Sequence, residues 1–368
     1  MRSISVYANG DRTSISYYRI WQYIDRLEGF NVICHTKYAN FLLKRYYPIG
    51  LQPLHIKILA WVLMCIKTFN SLILDFFCKP QIIIVTKQFV KKRMPKIFRL
   101  LINLLLARGS KIIWDFDDDI LAMKEINRSD FCYLAKKSSH ILVTHGYLKN
   151  LIPSAYQDKV SLFCTTDGDM YEYYKKNCDL ITETRLKLMK NHIRLVWVAT
   201  KGNIPFLESV IPFLDKAAKK MNERDGKILE LRIVCNGSIK ETTQYLQIHN
   251  ILWTRDVAIK EMENAHIGIM PLIDSAIAKG KGGFKLIQYM SIGLPCIASA
   301  VGFNRDVIDS SFGYLVQSSE DWVNAIIELS HPDSWKQKSY AAYARWKKNF
   351  SFEKNMIFFK NLCLLETE

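Results

Sequence analysis

A glycine-rich basic loop at residues 279–285 contains the residue types best suited to bind an anion. The loop has the sequence Lys-Gly-Lys-Gly-Gly-Phe-Lys, and the apolar run 286–290 that follows predicts a helix beginning near Gly283. A glycine-rich entry to a helix leaves backbone N–H groups unpaired at the positive end of the helix dipole. Lys281 and Lys285 can neutralise phosphate charge from the side. The pattern favours a diphosphate site, although a solvated basic loop before an ordinary helix has the same composition.

An acidic run, Asp-Phe-Asp-Asp-Asp at residues 115–119, follows an apolar segment in the first half of the chain. Clustered carboxylates can hold a divalent metal, since such ions prefer oxygen ligands. They can also contact substrate hydroxyl groups, or form a solvated turn. His145 follows a later apolar segment and could touch substrate, although a lone histidine is more often structural. The residues alone leave these alternatives open.

These loops need a scaffold that brings distant parts of the chain to one edge. Apolar, β-branched runs alternate with helical segments, which predicts parallel sheets covered by helices. The predicted strands are residues 3–7, 31–34, 81–85, 111–114, 140–143, 194–198, 231–235, 267–270 and 295–298. A polar stretch, residues 167–192, has no strand character and separates the first five strands from the last four. We expect an α/β protein with two doubly wound domains facing a cleft, which bind ligands at the carboxyl ends of their strands.

The chain of 368 residues is longer than a single core usually supports, which agrees with two domains. We place the boundary near residue 190. Residues 346–368 predict a C-terminal helix after a break at residues 349–351, and this helix could return to the first domain. The expected division is therefore 1–190, 191–345 and 346–368.

The order of motifs in the second half resembles family 4 glycosyltransferases, the retaining enzymes of the GT-B fold, and especially a bacterial surface-polysaccharide branch. The motifs are Ile267-Gly-Ile-Met-Pro-Leu272, the loop and helix 279–290, Gly293-Leu-Pro295, Ser299-Ala-Val-Gly-Phe-Asn304, Gly313-Tyr-Leu-Val316 and Trp322. Residues 193–201 resemble the first strand and phosphate loop of the donor domain. Residues 9–19 resemble, more loosely, an acceptor-side loop. The resemblance implies an acceptor-binding Rossmann-like domain followed by one that binds a nucleotide sugar.

The resemblance also implies roles for individual residues. The donor diphosphate would be bound by Thr200, Lys201, Gly283, Phe284 and Lys285. The donor nucleoside would be contacted by Gln288, Trp253 and Arg255, where the tryptophan could equally be core packing. The acceptor would be contacted by Gly10, Asp11, Ser14, Arg19, Asp118 and His145. The catalytic candidates are Lys281, Lys285 and Asp117.

The sequence departs from the family at its usual pair of glutamates. The second glutamate falls on Gln288, and the first falls on Gly280 with Lys281 beside it. A carboxamide can still hydrogen-bond a ribose hydroxyl, but it lacks the charge of a carboxylate. In retaining members the leaving diphosphate helps to deprotonate the acceptor, so positive charge on the diphosphate matters most, and Lys201, Lys281 and Lys285 would supply it.

The implied activity is transfer of a sugar, with retention, from a nucleotide diphosphate sugar to a glycan or lipid-linked oligosaccharide in bacterial surface polysaccharide synthesis. We expect no cofactor and no required divalent metal. Two alternatives stay open. One is a metal-dependent glycosyltransferase that uses residues 115–119, and the other is a noncatalytic GT-B partner in a membrane-associated polysaccharide assembly complex.

The composition bears on partners and location. A net charge of +16, from 51 Lys and Arg against 35 Asp and Glu, favours an anionic partner. The sequence has no nucleic-acid-binding motif, so we do not expect nucleic acid to be a partner. Residues 56–77 are apolar but interrupted by Lys57, Lys67, Asn70 and Asp75, which argues against a span. Residues 89–108 have the make-up of a basic amphipathic helix.

The nine cysteines form no CxxC pair, and the N-terminus lacks a signal-peptide core. We expect a cytoplasmic protein, peripheral on the anionic inner face of the cell membrane.

Overall fold

The structure, a computed structural model, describes residues 2–8, 15–36 and 53–367. The chain forms two compact units. The first comprises the described residues up to Cys164 together with those from Lys354 onward, and the second comprises Thr165–Glu353. The strands are β1 (Arg2–Ala8), β2 (Phe30–Thr36), β3 (Ile82–Thr86), β4 (Lys111–Phe116), β5 (His140–Val143), β6 (Val160–Leu162), β7 (His192–Ala199), β8 (Ile228–Cys235), β9 (Gln247–Leu252), β10 (Ile267–Met270), β11 (Cys296–Ser299) and β12 (Gly313–Val316).

Helices connect nearly all of these strands. They are α1 (Gln22–Ile24, preceded by a π-helical turn at Tyr17–Trp21), α2 (Leu54–Cys78), α3 (Lys96–Ala107), α4 (Arg128–Lys137), α5 (Gly146–Leu151), α6 (Gly168–Leu188), α7 (Ile204–Glu208), α8 (Ile211–Asp225), α9 (Arg255–Glu263), α10 (Ala276–Lys279), α11 (Phe284–Ser291), α12 (Asn304–Val307), α13 (Ser319–Leu329), α14 (Pro332–Asn349) and α15 (Phe352–Leu365). Short 3₁₀ turns occur at Ser154–Lys159 and Lys201–Asn203.

Each unit is built on one six-stranded sheet in which all pairings are parallel. The strand order is β2-β1-β3-β4-β5-β6 in the first unit and β12-β11-β10-β7-β8-β9 in the second. In the second sheet the chain begins in the middle, runs outward to β9 and then restarts at β10, so a topological switch point lies between β7 and β10. The predicted doubly wound α/β architecture is confirmed.

The cores follow from strands that are covered on both faces. Every residue of β3, β10 and β11 is buried, as expected for the central strands of parallel sheets. The largest side chains of the first core include Trp114 and Phe131, and those of the second include Trp197 and Trp335. Because these cores hold the strands rigidly, the loops at their carboxyl ends have fixed starting points.

The division between the units lies at Cys164 and Thr165, whereas the sequence placed it near residue 190. The polar stretch that suggested a linker is mostly helix α6, and this helix is anchored in the second unit by Arg185. The fully buried guanidinium donates to the backbone carbonyl oxygens of Glu263 (2.8 Å), Ile292 (2.9 Å) and Met262 (3.0 Å). A polar helix can thus belong to a core when one long side chain has its partners there.

The C-terminal helix is split at Phe350 and Ser351, between α14 and α15. In the first unit, Asn355 Nδ2 donates to the backbone oxygen of Cys164 (2.8 Å). The Phe359 ring lies 5.3 Å, centroid to centroid, from the Tyr23 ring. From Lys354 onward, α15 therefore packs as part of the first unit.

The basic helix predicted at residues 89–108 is shorter than expected, because α3 covers only Lys96–Ala107. Pro95 stands at its N-cap, and the Met94 backbone N–H donates to Asp130 Oδ2 (2.8 Å) instead of entering a helix. Lys92 has a left-handed backbone, with φ of 68°. The basic residues before position 95 thus lie on a loop that runs into α3.

Candidate functional site

The loop after β7, the first strand of the second sheet, presents Thr200 and Lys201 to solvent. The backbone N–H of Lys201 donates to Asn236 Oδ1 (2.8 Å), and Asn203 Nδ2 donates to Thr200 Oγ1 (3.0 Å). Asn236 directly follows β8, so its side chain fastens the loop after one strand to the loop after the neighbouring strand. This arrangement fixes an exposed hydroxyl and an exposed ammonium near the switch point.

The predicted glycine-rich helix entry is present in the loops after β10 and β11. Gly283 is the N-cap of α11 and has φ of +63°, and a Cβ on it would lie 2.8 Å from the Phe303 ring. Gly302 has φ of +54°, and its Cβ would lie 2.8 Å from the Cα of Lys279. Both positions therefore need glycine for backbone conformation and for close packing. Phe284, the first residue of α11, is half-buried, and the helix starts with its N–H groups at a tightly packed loop.

Three lysines give this region its charge. Burial raises the pKa of the Cys235 thiol at the end of β8, and this rise is opposed by hydrogen bonds from the backbone of Gly237 and Asn236 and then by the charges of Lys285 and Lys201. Lys281 Nζ lies 5.8 Å from the centroid of the Phe206 ring. Within the described part of the chain, no carboxylate forms an ion pair with Lys201 or Lys281. The charges of Lys201 and Lys281 are thus available to an anionic ligand.

The predicted nucleoside contacts have defined neighbours. Gln288 is buried on α11, and its Nε2 donates to Asp167 Oδ2 (3.0 Å). Arg255 Nη2 lies 2.6 Å from Asp169 Oδ2 and 3.4 Å from Asp167 Oδ1. Trp253 is half-buried, and its backbone N–H donates to the oxygen of Cys235 (3.2 Å). Arg255 is directed at two carboxylates, so the structure gives it a partner other than a base.

Two residues of this region were not singled out in the sequence, Asp167 and Asn236. Asp167 is the N-cap of α6 and accepts from the Met170 backbone N–H (3.1 Å). An aspartate before glycine and a helical stretch is a capping signal, and an Asn-Gly pair after a buried strand is a loop signal. Either could have been found locally. Their partners, in the loop after β7 and on α11, could not be found from sequence, because those contacts join distant segments.

In the first unit, the acidic run begins with Asp115 at the end of β4, and this residue pairs with Arg19. Both side chains are buried, and Arg19 Nε lies 3.1 Å from Asp115 Oδ1, with Nη2 on the same carboxylate. Nη1 donates to the backbone oxygen of Phe163, and the guanidinium lies 4.9 Å from the centroid of that ring. The structure places Arg19, a predicted acceptor contact, in a buried ion pair. Gly10, Asp11 and Ser14 lie outside the described residues.

Lys87, which follows β3, was not predicted as a site residue. Its ammonium group lies among carboxylates of the acidic run. Its Nζ lies 3.4 Å from Asp117 Oδ1, 3.4 Å from Asp118 Oδ2 and 3.9 Å from Glu125 Oε2. Burial lowers the pKa of Lys87, but the three carboxylates outweigh it and raise the pKa overall. Burial raises the pKa of Asp117 to about 6, against the opposing effect of Lys87. Asp117 can therefore change its protonation near neutral pH.

Asp119 and His145 lie at the start of the two loops that follow β4 and β5. Asp119 Oδ1 accepts from the backbone N–H groups of Leu121 (3.0 Å) and Ala122 (2.8 Å). His145 is buried at the N-cap of α5, with its ring 6.2 Å from that of Tyr147. No group of three or more His, Cys, Asp or Glu side chains among residues 2–8, 15–36 and 53–367 is arranged to hold a metal ion. The carboxylates of the acidic run have protein cations or backbone N–H groups beside them.

Comparison with known proteins gives a family match for part of the second unit and a fold for nearly the whole chain. Residues 194–331, which contain the basic loops described above, match the family of glycosyl transferases group 1. No curated protein sequence matches the chain.

Several solved structures share the architecture over nearly the whole chain. The UDP-forming α,α-trehalose-phosphate synthase of Burkholderia xenovorans is 10% identical, with a TM-score of 0.63 over 100% of this chain and 99% of that one. Anabaena Alr3699/HepE in complex with UDP is 11% identical, with a TM-score of 0.61 over 98% and 99%. The UDP-GlcNAc 2-epimerase of Methanocaldococcus jannaschii is 11% identical, with a TM-score of 0.52 over 94% and 98%. At such identities these likenesses establish the GT-B fold, which transferases share with epimerases.

Proposed function

We propose that this chain is a glycosyltransferase that transfers a sugar from a nucleotide diphosphate sugar to a glycan or lipid-linked acceptor, because residues 194–331 match the family of glycosyl transferases group 1 and the chain has the GT-B fold. The observation that carries the proposal is a pair of basic loops in the second unit. One follows β7, where the exposed Lys201 has its backbone N–H bound to Asn236 Oδ1 (2.8 Å), and the other is the glycine-rich loop that enters α11 at Gly283. These loops follow β7 and β10, the two neighbouring strands between which the second sheet reverses its strand order.

The donor diphosphate fits the chemistry of this region. Its oxygens need hydrogen-bond donors and positive charge, which the N–H groups at the start of α11 and the ammonium groups of Lys201, Lys281 and Lys285 provide. The charge that develops on the diphosphate as the glycosyl bond breaks would be stabilised by the same groups, which are fixed before the reaction. HepE is seen with UDP and with UDP-glucose, so a UDP-sugar is the first donor to test.

The acceptor hydroxyl would be oriented in the first unit, where Asp117 and Asp118 offer acceptor oxygens around Lys87. We propose retention of the anomeric configuration, with the leaving diphosphate assisting deprotonation of the acceptor. An NMR measurement of the product anomer tests this separately, because an inverted product would exclude it. A divalent metal is not part of the proposed mechanism.

The test is a calorimetric titration of the protein with UDP-, GDP-, dTDP- and CMP-linked sugars, with and without Mn²⁺. We expect one diphosphate sugar to bind without metal, and Lys201→Ala/Lys285→Ala to weaken it about tenfold or more. Lys219→Ala/Lys260→Ala is the matched control, since it removes two exposed lysines from helices of the same unit. Binding that requires the metal and survives the lysine substitutions would contradict the proposal and favour residues 115–119 as the site.

We also propose that the first unit lies on the anionic inner face of the cell membrane, as expected for an enzyme of surface polysaccharide synthesis. Helices α2 and α3 pack together, with the Phe69 and Phe98 rings 6.3 Å apart. Both expose apolar side chains, among them Leu54 (73%), Phe77 (73%), Ile58 (54%), Ile66 (54%) and Leu100 (54%). Exposed apolar groups next to the basic segment 91–96 suit a surface that is apolar inside and anionic outside.

The helix α2 is also long and apolar enough, by length and composition alone, to cross a membrane. Its packing supports a surface location instead, because Asp75 on its buried side accepts hydrogen bonds from Ser5 Oγ (2.7 Å) and Tyr7 OH (2.6 Å). A carboxylate held on the sheet in this way ties the helix to the first unit.

Vesicle flotation tests the membrane proposal. The protein should float with vesicles of phosphatidylcholine mixed with phosphatidylglycerol and less with phosphatidylcholine alone. Ile58→Ser/Ile66→Ser and Lys91→Glu/Lys92→Glu/Arg93→Glu should each reduce flotation. Leu180→Ser/Leu252→Ser, which removes two exposed leucines from the second unit, should not. If all variants float equally, or if the unaltered protein does not float, the exposed faces of α2 and α3 are excluded as a membrane-binding surface.

A further inference from the structure

The buried contact between Gln288 and Asp167 joins the helix that begins the basic site to the N-terminus of α6. The Gln288 Nε2 donates to Asp167 Oδ2 at 3.0 Å, and both side chains are more than nine-tenths buried. A buried polar contact of this kind restricts both partners to one arrangement, because breaking it leaves polar groups unpaired away from water.

The direction of this hydrogen bond determines how the carboxamide is turned. An ionised carboxylate only accepts hydrogen bonds, whereas a carboxamide has a donating amino group and an accepting carbonyl oxygen. Asp167 therefore attracts the amino group of Gln288 and leaves Oε1 directed away from it. A glutamine without such a partner could present either end to a ligand.

Asp167 is itself held in place by two further contacts. Its Oδ1 accepts from the Met170 backbone N–H (3.1 Å) as the N-cap of α6, and lies 3.4 Å from Arg255 Nη2. Burial raises the pKa of Asp167, and Arg255 opposes that rise and favours the charged form. The order Arg255, Asp167, Gln288 is thus a chain of contacts that ends in one carbonyl oxygen.

A glutamate at position 288 would not fit this arrangement. Its carboxylate would stand about 3 Å from that of Asp167, and two carboxylates so close cannot both be charged without a large cost. The pair as it stands holds one carboxylate and one carboxamide, which is the complementary combination. The same complementarity is preserved if the two groups are exchanged between the positions.

We propose that Asp167 is a positioning residue that orients the Gln288 carboxamide so that Oε1 accepts a hydrogen bond from a ribose hydroxyl of the donor nucleotide. This inference rests on the proposed function. It gives Arg255 the role of holding Asp167, in place of direct contact with the base. The nucleoside part of the donor is then selected through α11, while the diphosphate is bound by Lys201 and Lys285.

The experiment measures binding of UDP, 2′-deoxy-UDP, 3′-deoxy-UDP and inorganic pyrophosphate by calorimetry. The variants are Asp167→Asn, Gln288→Glu and the exchange Asp167→Asn/Gln288→Glu. Asparagine caps a helix about as well as aspartate, so Asp167→Asn should keep α6 intact. Thermal unfolding of each variant is recorded beside the titrations.

We expect the unaltered protein to bind UDP more tightly than at least one deoxy analogue. Asp167→Asn should lose about tenfold in UDP affinity and most of that discrimination, since its amide no longer fixes which end of Gln288 faces the ligand. Gln288→Glu should lose more, and the exchange should recover UDP affinity to within about threefold of the unaltered protein. Pyrophosphate affinity should stay the same in all variants that fold.

Two results would overturn the inference in distinguishable ways. If Asp167→Asn discriminates between UDP and its deoxy analogues as the unaltered protein does, the orienting role of Asp167 is excluded while the proposed function stands. The same conclusion follows if the exchange recovers nothing although it folds. If the unaltered protein binds neither UDP nor pyrophosphate, the proposed function fails and this inference fails with it.

Discussion

The carboxyl edges of the two sheets both carry charged residues, but they use them in opposite ways. In the second unit, Lys201 and Lys281 form no ion pair with any carboxylate of the described residues. In the first unit, Lys87 is surrounded by Asp117, Asp118 and Glu125. The contrast holds although both sets follow strands of parallel sheets with similar construction.

This difference indicates that the role of a charged residue depends more on the groups that surround its side chain than on the residue type. A buried cation that faces several carboxylates is needed for folding, because its removal leaves those carboxylates uncompensated in a poorly solvated place. An exposed cation without a partner adds little to stability, so its charge is available to a ligand. The comparison can be tested at both edges with the same substitutions.

The largest effect is expected for Lys87→Met in the first unit. Three neighbouring carboxylates would lose their common cation, which should cost about 3–5 kcal/mol in the free energy of unfolding. Lys281→Met, the matched substitution in the second unit, should change stability by less than about 0.5 kcal/mol. Urea unfolding and thermal midpoints measure both, and an equal cost at the two positions would abolish the comparison. Lys87→Met/Asp117→Asn should be less destabilised than Lys87→Met alone.

An intermediate effect is expected from the titration of Asp117. With the pKa at about 6, the carboxylate becomes protonated below that pH, so kcat/KM should fall about tenfold per pH unit there if the charged form orients the acceptor. Asp117→Asn should have lower activity, and its kcat/KM should not show this decrease between pH 7 and pH 5. Initial rates measured over pH 5–8 at saturating donor test this prediction. If Asp117→Asn shows the same decrease at low pH, the decrease belongs to another titrating group.

The same shift has an effect on stability with a defined sign. An aspartate in the unfolded chain has a pKa of about 4, below the value of about 6 in the folded protein. Protonation therefore favours the folded state, and the contribution of Asp117 to stability decreases as the pH rises from about 4 to about 6. Thermal midpoints of the unaltered protein and of Asp117→Asn over this range should differ in slope accordingly.

The smallest effect is expected from salt. Binding of a diphosphate to Lys201, Lys281 and Lys285, which are exposed or half-buried, should weaken severalfold between about 50 and 500 mM NaCl, because charges in contact with solvent are screened. The loss of stability in Lys87→Met should change less with salt, because Lys87 and its partner Asp117 are buried. Calorimetry with UDP and urea unfolding at both concentrations measure these effects. A salt-independent UDP affinity would mean that the lysines contribute little charge to the site.

How far the fold could be predicted is shown by the strands that the sequence did not reveal. All three, β6, β9 and β12, lie at edges of the sheets. An edge strand has a neighbour on one side only, so it can be short or polar, as Val160–Leu162 and Gln247–Leu252 are. The central strands were predicted because burial on both faces requires continuous apolar runs.

For the candidate site, too, the sequence predicted local features but not contacts between distant segments. The helix entry at Gly283 has a local signal, and the structure confirms where α11 begins. Arg19 and Arg255 have charges that suit a substrate, but the structure gives them Asp115, Asp167 and Asp169 as partners. Those partners are far away in sequence or lie on another element, so residue type and spacing could not identify them. The roles of the other predicted contacts with donor and acceptor stay predictions.

The buried guanidinium of Arg185 also bears on the order of events in folding. Its three carbonyl partners belong to the end of α9 and to the residue after α11, about 77 and 107 positions further along the chain. All three bonds can form only when these segments have docked, so we expect them to form late in folding. Contacts absent from the transition state act on the unfolding rate and hardly on the folding rate. Arg185 is therefore expected to set how long the second unit stays folded, more than how quickly it folds.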